Sequence, residues 1–195
     1  LSSEAGAGGG WVARILATDL SMTLVGSELI HAVAESAHVS DKVIKSLDEK
    51  SISLFDSLIS SFFESRHIWP NEYIRRLSMV MHADAQHGNI IIIGRGGSFI
   101  LKDKAFRVRI IAPFDTRVEK VVRDRKLPLK EAQGYVKKYD SDQIGFIRKY
   151  FNEDINDPKH YDIMVNMQNV GIETAAESIK KAFLAWRAVN ENHQG

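Results

Sequence analysis

The stretch Asn89-Ile90-Ile91-Ile92-Ile93-Gly94 constrains the fold more than any other part of the chain. A strand with one wet face alternates apolar and polar residues, and these four consecutive isoleucines do not alternate. So short a β-branched run, closed by Asn89 and Gly94, fits a parallel strand covered on both faces. "FRVRIIAP", ended by Pro113, and "YDIMVNM" are two further strand candidates. Helical periodicity fills the spaces between and after them, at about Thr116–Arg125, Leu129–Tyr150 and Ile172–Val189. Strand, helix, strand, helix is the α/β signature.

The first half is helical by the same criterion. Val12, Ile15, Leu16 and Leu20 give a first helix, and a second covers about Glu28–Glu35. Ser40 reads as the N-cap of a third, with Val43, Ile44 and Leu47 inward. Phe55, Leu58, Ile59, Phe62 and Phe63 form a wide apolar face, read as core with a dimer surface as the minor option. A helix with Pro70 in its first turn and Gly88 just past its end leads into the isoleucine run. With no internal repeat and no linker inside the chain, the reading is one domain over 1–195.

Composition narrows the function. Formal charge is +1, so no global field draws the chain to nucleic acid or membrane, and an anion site has to be built locally. The absence of cysteine excludes disulfides and thiolate metal sites and fits a reducing cytoplasm. No apolar run approaches the roughly 20 residues that span a bilayer, and no secretory leader pattern is visible. The seven histidines, His31, His38, His67, His82, His87, His160 and His193, show no metal-ligand spacing. Trp11, Trp69 and Trp186 read as packing residues.

Near the start, "SSEAGAGGGWVARIL" packs Gly6, Gly8, Gly9 and Gly10 into five positions directly before a helix. A terminal glycine cluster by itself reads as flexible linker. A helix N-terminus, however, exposes unpaired N–H groups and the positive end of its dipole, and glycine lets backbone approach an anion closely. Both readings stand on composition alone. The Walker pattern G-x-x-x-x-G-K-[ST] is incomplete, because Gly9 stands at the lysine and Gly10 or Trp11 at the hydroxyl.

The ordered segments "SSEAGAGGGWVARILATDL", "IIIIGRGGSFILKD", "APFDTRVEKVVRDRKLPLKEA", "KKYDSDQIGFIRKYF" and "NDPKHYDIMVN" together resemble the cytidylate kinase-like family. That family belongs to the P-loop nucleoside monophosphate kinases and also lacks the loop lysine. The resemblance implies a three-layer P-loop-type parallel sheet with helices on both faces and a helical lid at about 126–158. It further implies a buried strand before the glycine loop, lying upstream of residue 1 with only Leu1 remaining. It implies ATP and Mg2+ as cofactors, small-molecule nucleotides as partners, and a possible homodimer.

Site residues follow from the same likeness. Gly6, Ala7, Gly8, Gly9, Gly10 and Trp11 would cradle the donor phosphates. Arg95, at the carboxyl end of the isoleucine strand where open α/β sheets bind ligands, would grip the acceptor; an exposed turn arginine is the alternative. Arg117, Arg123 and Arg125 each read as solvated when taken alone. The resemblance nominates the last two at the hinge of the lid, Arg123 for catalysis and Arg125 for the cofactor. In the lid, Asp140 matches the family, but Gln143 occupies an arginine position, leaving Arg148 and Lys149 as the basic residues and Arg148 as the lid's catalytic arginine. Gly26 stands where an Asp is common, and Ser3 replaces the loop arginine. Asp162 and Asn166 are read either as support for a nucleotide or as turn residues. The rival to a kinase is a non-catalytic nucleotide-binding or regulatory protein on the same fold, or a kinase for another small molecule.

Overall fold

A computed structural model describes residues 1–26 and 70–191. The expected helices at Glu28–Glu35, after Ser40 and around Phe55–Phe63, as well as Trp69, lie outside the described residues. Among the described residues, five strands run β1 (Ser2–Ser3), β2 (Thr23–Val25), β3 (Ile90–Ile92), β4 (Val108–Ile111) and β5 (Ile163–Asn166). The helices are α1 (Gly9–Leu20), α2 (Pro70–Gln86), α3 (Gly97–Leu101), α4 (Phe114–Arg125), α5 (Leu129–Phe151) and α6 (Ile172–Glu191).

Among the described residues, all strand pairings are parallel. Thr23–Val25 runs beside Ile90–Ile92, and β4 lies between β1 and β5, with Ser2 opposite Arg109 and Val108 opposite Ile163. Leu1 joins the two ladders. Its nitrogen donates to the Ile92 carbonyl at 2.7 Å, and its carbonyl accepts from Gly94 N–H at 2.9 Å. The sheet order is therefore β2-β3-β1-β4-β5. The middle strand is not confined to Leu1, as expected from sequence: Ser2 and Ser3 belong to it as well.

The isoleucine run behaves as its pattern requires. Ile92 packs with Leu77 and Met81 of α2 and Leu101 of α3, whereas Ile91 faces the cluster built on α1 and α6. Successive side chains thus bury into opposite layers, which is why no polar residue is tolerated between them. On β4, Val108 and Ile110 enter the α1–α6 layer beside Val12, Leu16, Ala175 and Ile179. Apolar residues of α4 and α5, Val118, Val121, Ala132 and Val136, form a third cluster with Ala5. Trp186 packs as expected, its ring 5.7 Å from that of Phe106.

Candidate functional site

The chain leaves β1 at the centre of the sheet and enters α1 through Glu4–Gly8. Glu4 N–H still bonds the Ile110 carbonyl at 3.1 Å, and Ala7 N–H turns back onto the Glu4 carbonyl at 3.1 Å. Gly6 and Gly8 sit at φ 76° and 93°, the left-handed region that glycine enters without a Cβ clash. A Cβ on Gly6 would also run into the Arg117 carbonyl, and one on Gly9 into the Ser3 side chain. The amides of Gly6, Gly8, Gly9 and Gly10 have no acceptor among the described residues. They stand at the positive end of α1, at the carboxyl edge of the sheet, and line a cavity of about 960 Å³. The glycine cluster is a folded loop, not a linker.

Ala7 departs from expectation. Its side chain is fully buried against Val12 and Ile110, and its amide is already used, so it anchors the loop rather than lining the cavity. Trp11 departs in the other direction. It is 56% exposed on the cavity wall, with the Arg14 guanidinium 5.1 Å from its ring centre, and is no core residue.

Arg117 corrects the sequence reading most. Expected to be solvated, it is buried. Its Nη1 and Nη2 donate to the two Asp140 oxygens at 2.9 Å each. Nε donates to the Ala112 carbonyl at 2.9 Å and lies 3.3 Å from Glu4 Oε2, and Nη1 reaches the Ala5 carbonyl at 3.4 Å. Glu4 Oε2 in turn accepts from Ala112 N–H at 3.0 Å. One guanidinium therefore ties the start of the glycine loop, the end of β4 and the middle of α5. The missed signal was "FDTR": an arginine at position four of a helix that follows the strand end faces the sheet edge, and Asp140 is the partner that lets it be buried.

Arg95 lies where expected, on the cavity wall after β3. Gly94, Arg95 and Gly96 are all left-handed (φ 70°, 58° and 71°), a conformation that flanking glycines make accessible. Arg123 and Arg125 also line the cavity from the end of α4. Arg123 Nε contacts Asp124 at 3.1 Å, and Arg125 lies 4.4 Å from the Tyr135 ring centre. Burial lifts the Tyr135 phenol above its usual range, with the Arg125 charge pulling it back, so the hydroxyl stays protonated. Arg148 is not brought to this site; it is exposed on the outer side of α5. The expected lid is α5 and the segment after it, which presents Tyr135, Tyr139, Gln143 and Phe146 to the cavity. Gln143 donates through Nε2 to the Ser3 carbonyl at 3.2 Å, so the amide standing in the arginine position braces the end of β1 where the loop begins.

Asp162 serves the fold. Its carboxylate takes the Arg107 guanidinium at 2.8 and 3.2 Å and the Arg107 N–H at 2.7 Å. Asn166 accepts from Gln168 N–H at 3.0 Å, a turn role.

The cavity fits a polyphosphate by its four amides that have no acceptor among the described residues. Among the described residues, the carboxylates on its wall are Glu4 and Asp124, engaged by Arg117 and Arg123 respectively. A Mg2+ ion here would be carried on phosphate oxygens and water, as this ion commonly is.

A parallel sheet layered by helices, with an amide-lined glycine loop at the carboxyl end of its central strand, defines a P-loop kinase fold. The cytidylate kinase-like family model matches residues 1–169, and the chain belongs to that family. Among solved structures it is similar to an uncharacterized protein from Eubacterium ventriosum, at 22% identity and TM-score 0.67, over 93% of this chain and 94% of that one. Shikimate kinase from Acinetobacter baumannii, in complex with shikimate, matches at 15% identity and TM-score 0.53, over 94% and 91%. Shikimate kinase from Bacteroides thetaiotaomicron matches at 10% identity and TM-score 0.51, over 92% and 94%. No curated protein gives a significant match.

Proposed function

We propose that this protein is an ATP-dependent kinase that phosphorylates a nucleoside monophosphate. The observation that carries the reading is the set of unpaired amides at Gly6, Gly8, Gly9 and Gly10, facing a cavity that also holds Arg95 and Arg123. When bound, ATP supplies the phosphoryl group and Mg2+ shields its oxygens. The chain's own contribution is positioning and charge. The loop amides donate to the donor phosphates and the α1 dipole favours their charge. Arg95, from the opposite wall, holds the acceptor phosphate in line, since a guanidinium can take two of its oxygens at once. Arg123 and Arg125 sit where negative charge moves between the two substrates. Trp11 offers an apolar ring face beside the loop for the donor.

The test is ADP formation with CMP, UMP, AMP and GMP, and with shikimate as a non-nucleotide acceptor. Turnover with a nucleoside monophosphate supports the reading. Turnover confined to shikimate retains the kinase and removes the nucleotide acceptor. A second reading, nucleotide binding without transfer, is favoured by Gln143, whose amide is committed to the Ser3 carbonyl where a lid arginine was expected. Tight ATP binding with no turnover on any acceptor would establish it.

A further inference from the structure

The glycine loop lacks a cation of its own, for Gly9 stands where the P-loop signature places lysine. Backbone amides carry only partial charge, while a triphosphate carries several full negative charges that must be offset during transfer. Lys120 meets this need from another element. It is half-buried on α4, on the cavity wall, and its Nζ is 3.7 Å from where a Cβ on Gly8 would stand. Lys120 follows Arg117 by three residues, so both lie on the face of α4 turned toward the loop. Among the described residues, no hydrogen bond or ion pair holds its ammonium. A cation next to the N-terminus of α1 is unfavourable when nothing lies between, because both are positive. The arrangement becomes favourable when an anion occupies the gap.

We propose that Lys120 is the catalytic cation of the loop, supplied by α4 of the same chain, with Nζ donating to the donor phosphates that the amides of Gly8 and Gly9 also contact. This rests on the reading above that the loop holds ATP. Lys120 forms no covalent bond and gives up no proton; it neutralises oxygens whose charge shifts as the phosphoryl group moves.

The experiment compares Lys120→Gln, Lys120→Arg and, as a charge control away from the cavity, Lys181→Gln on α6. Steady-state kinetics, ATP titration calorimetry and thermal unfolding are measured on each. Lys120→Gln should lower kcat about 100-fold or more and ATP affinity about tenfold, with the acceptor KM little changed. Lys120→Arg should recover most of both, and Lys181→Gln should match the parent. The melting temperature of ligand-free Lys120→Gln should not fall, because the substitution relieves repulsion at the α1 terminus. Kinetics and ATP affinity of Lys120→Gln within twofold of the parent overturn the assignment. So does an equal loss in Lys120→Gln and Lys120→Arg accompanied by a lowered melting temperature, which is the pattern of a packing role. If the parent shows no turnover, the kinase reading fails separately. ATP affinity then decides on Lys120: a tenfold drop in Lys120→Gln alone upholds it, and no drop overturns it.

Discussion

Replacing Asp140 with Asn should destabilise the protein far more than its place on a long surface helix suggests. The carboxylate takes both Nη donors of Arg117 at 2.9 Å, and Arg117 itself is only 5% exposed. A charge-assisted bond contributes about 1.5–3 kcal/mol, and deleting one partner of a buried pair costs about 3–5 kcal/mol. Two features reduce the loss here. The Asp140 side chain is 26% exposed, so water reaches it, and Arg117 keeps Glu4 and two backbone carbonyls as partners. We therefore expect about 2–3 kcal/mol for Asp140→Asn. Arg117→Met should cost more, about 3–5 kcal/mol, because it leaves the Glu4 carboxylate without its cation and the Ala5 and Ala112 carbonyls without a donor. Equilibrium urea unfolding followed by circular dichroism provides the values, with an unchanged m-value showing that the unfolded states are comparable. The Arg117→Met/Asp140→Asn double variant should fall short of the sum of the singles by more than about 1 kcal/mol, as residues in one network do. An Asp140→Asn loss below about 0.5 kcal/mol, or strictly additive singles, would refute the idea that one buried guanidinium joins loop, strand and helix.

Three further outcomes are expected. Gly6→Ala forces a Cβ at φ 76° into the Arg117 carbonyl, so it should lower stability by about 1–3 kcal/mol and ATP affinity more than tenfold; calorimetry showing unchanged affinity would contradict the loop geometry. Arg95→Ala should raise the acceptor KM at least tenfold while leaving ATP affinity nearly constant, and an effect on ATP instead would move Arg95 to the donor side. At Asp162, burial pushes the carboxyl upward, but the side-chain and backbone hydrogen bonds from Arg107 outweigh it and hold the group below its usual value. That contribution is present above the unfolded-state pKa near 3.9 and is lost as pH falls through the lower folded value. Asp162→Asn should therefore remove about 1 kcal/mol at neutral pH and flatten the acid limb of a stability-against-pH curve; parallel curves for the two proteins would count against it.

Much of the fold is legible in the chain because long, periodic elements announce themselves locally. The helices at Phe114–Arg125, Leu129–Phe151 and Ile172–Glu191 fall within a few residues of the pattern, and the isoleucine run is a strand buried on both faces. The strands Ser2–Ser3 and Thr23–Val25 are not legible by pattern, because two or three residues carry no period. Only pairing with β4 and β3 makes them strands. Part of the site follows the same division. Gly6, Gly8, Gly9, Gly10 and Arg95 stand out because backbone that must take positive φ or admit a ligand needs glycine at or beside it.

What the sequence by itself determined was the layered α/β core, which follows from near-neighbour chemistry and hydrophobic period. Glycine content marked the segment Gly6–Gly10 without choosing between a linker and a loop able to receive an anion, and the fold made it a loop. Which charges belong to that loop was decided only in three dimensions. Arg117, Glu4 and Asp140 are far apart along the chain yet share one buried network, Gln143 turns to a strand carbonyl, Arg148 points away, and Lys120 comes to rest beside Gly8. A charged side chain looks the same in sequence whether it ends in water or in a network. Its role is set by the desolvation and partners that packing imposes, and those depend on residues that no local window contains.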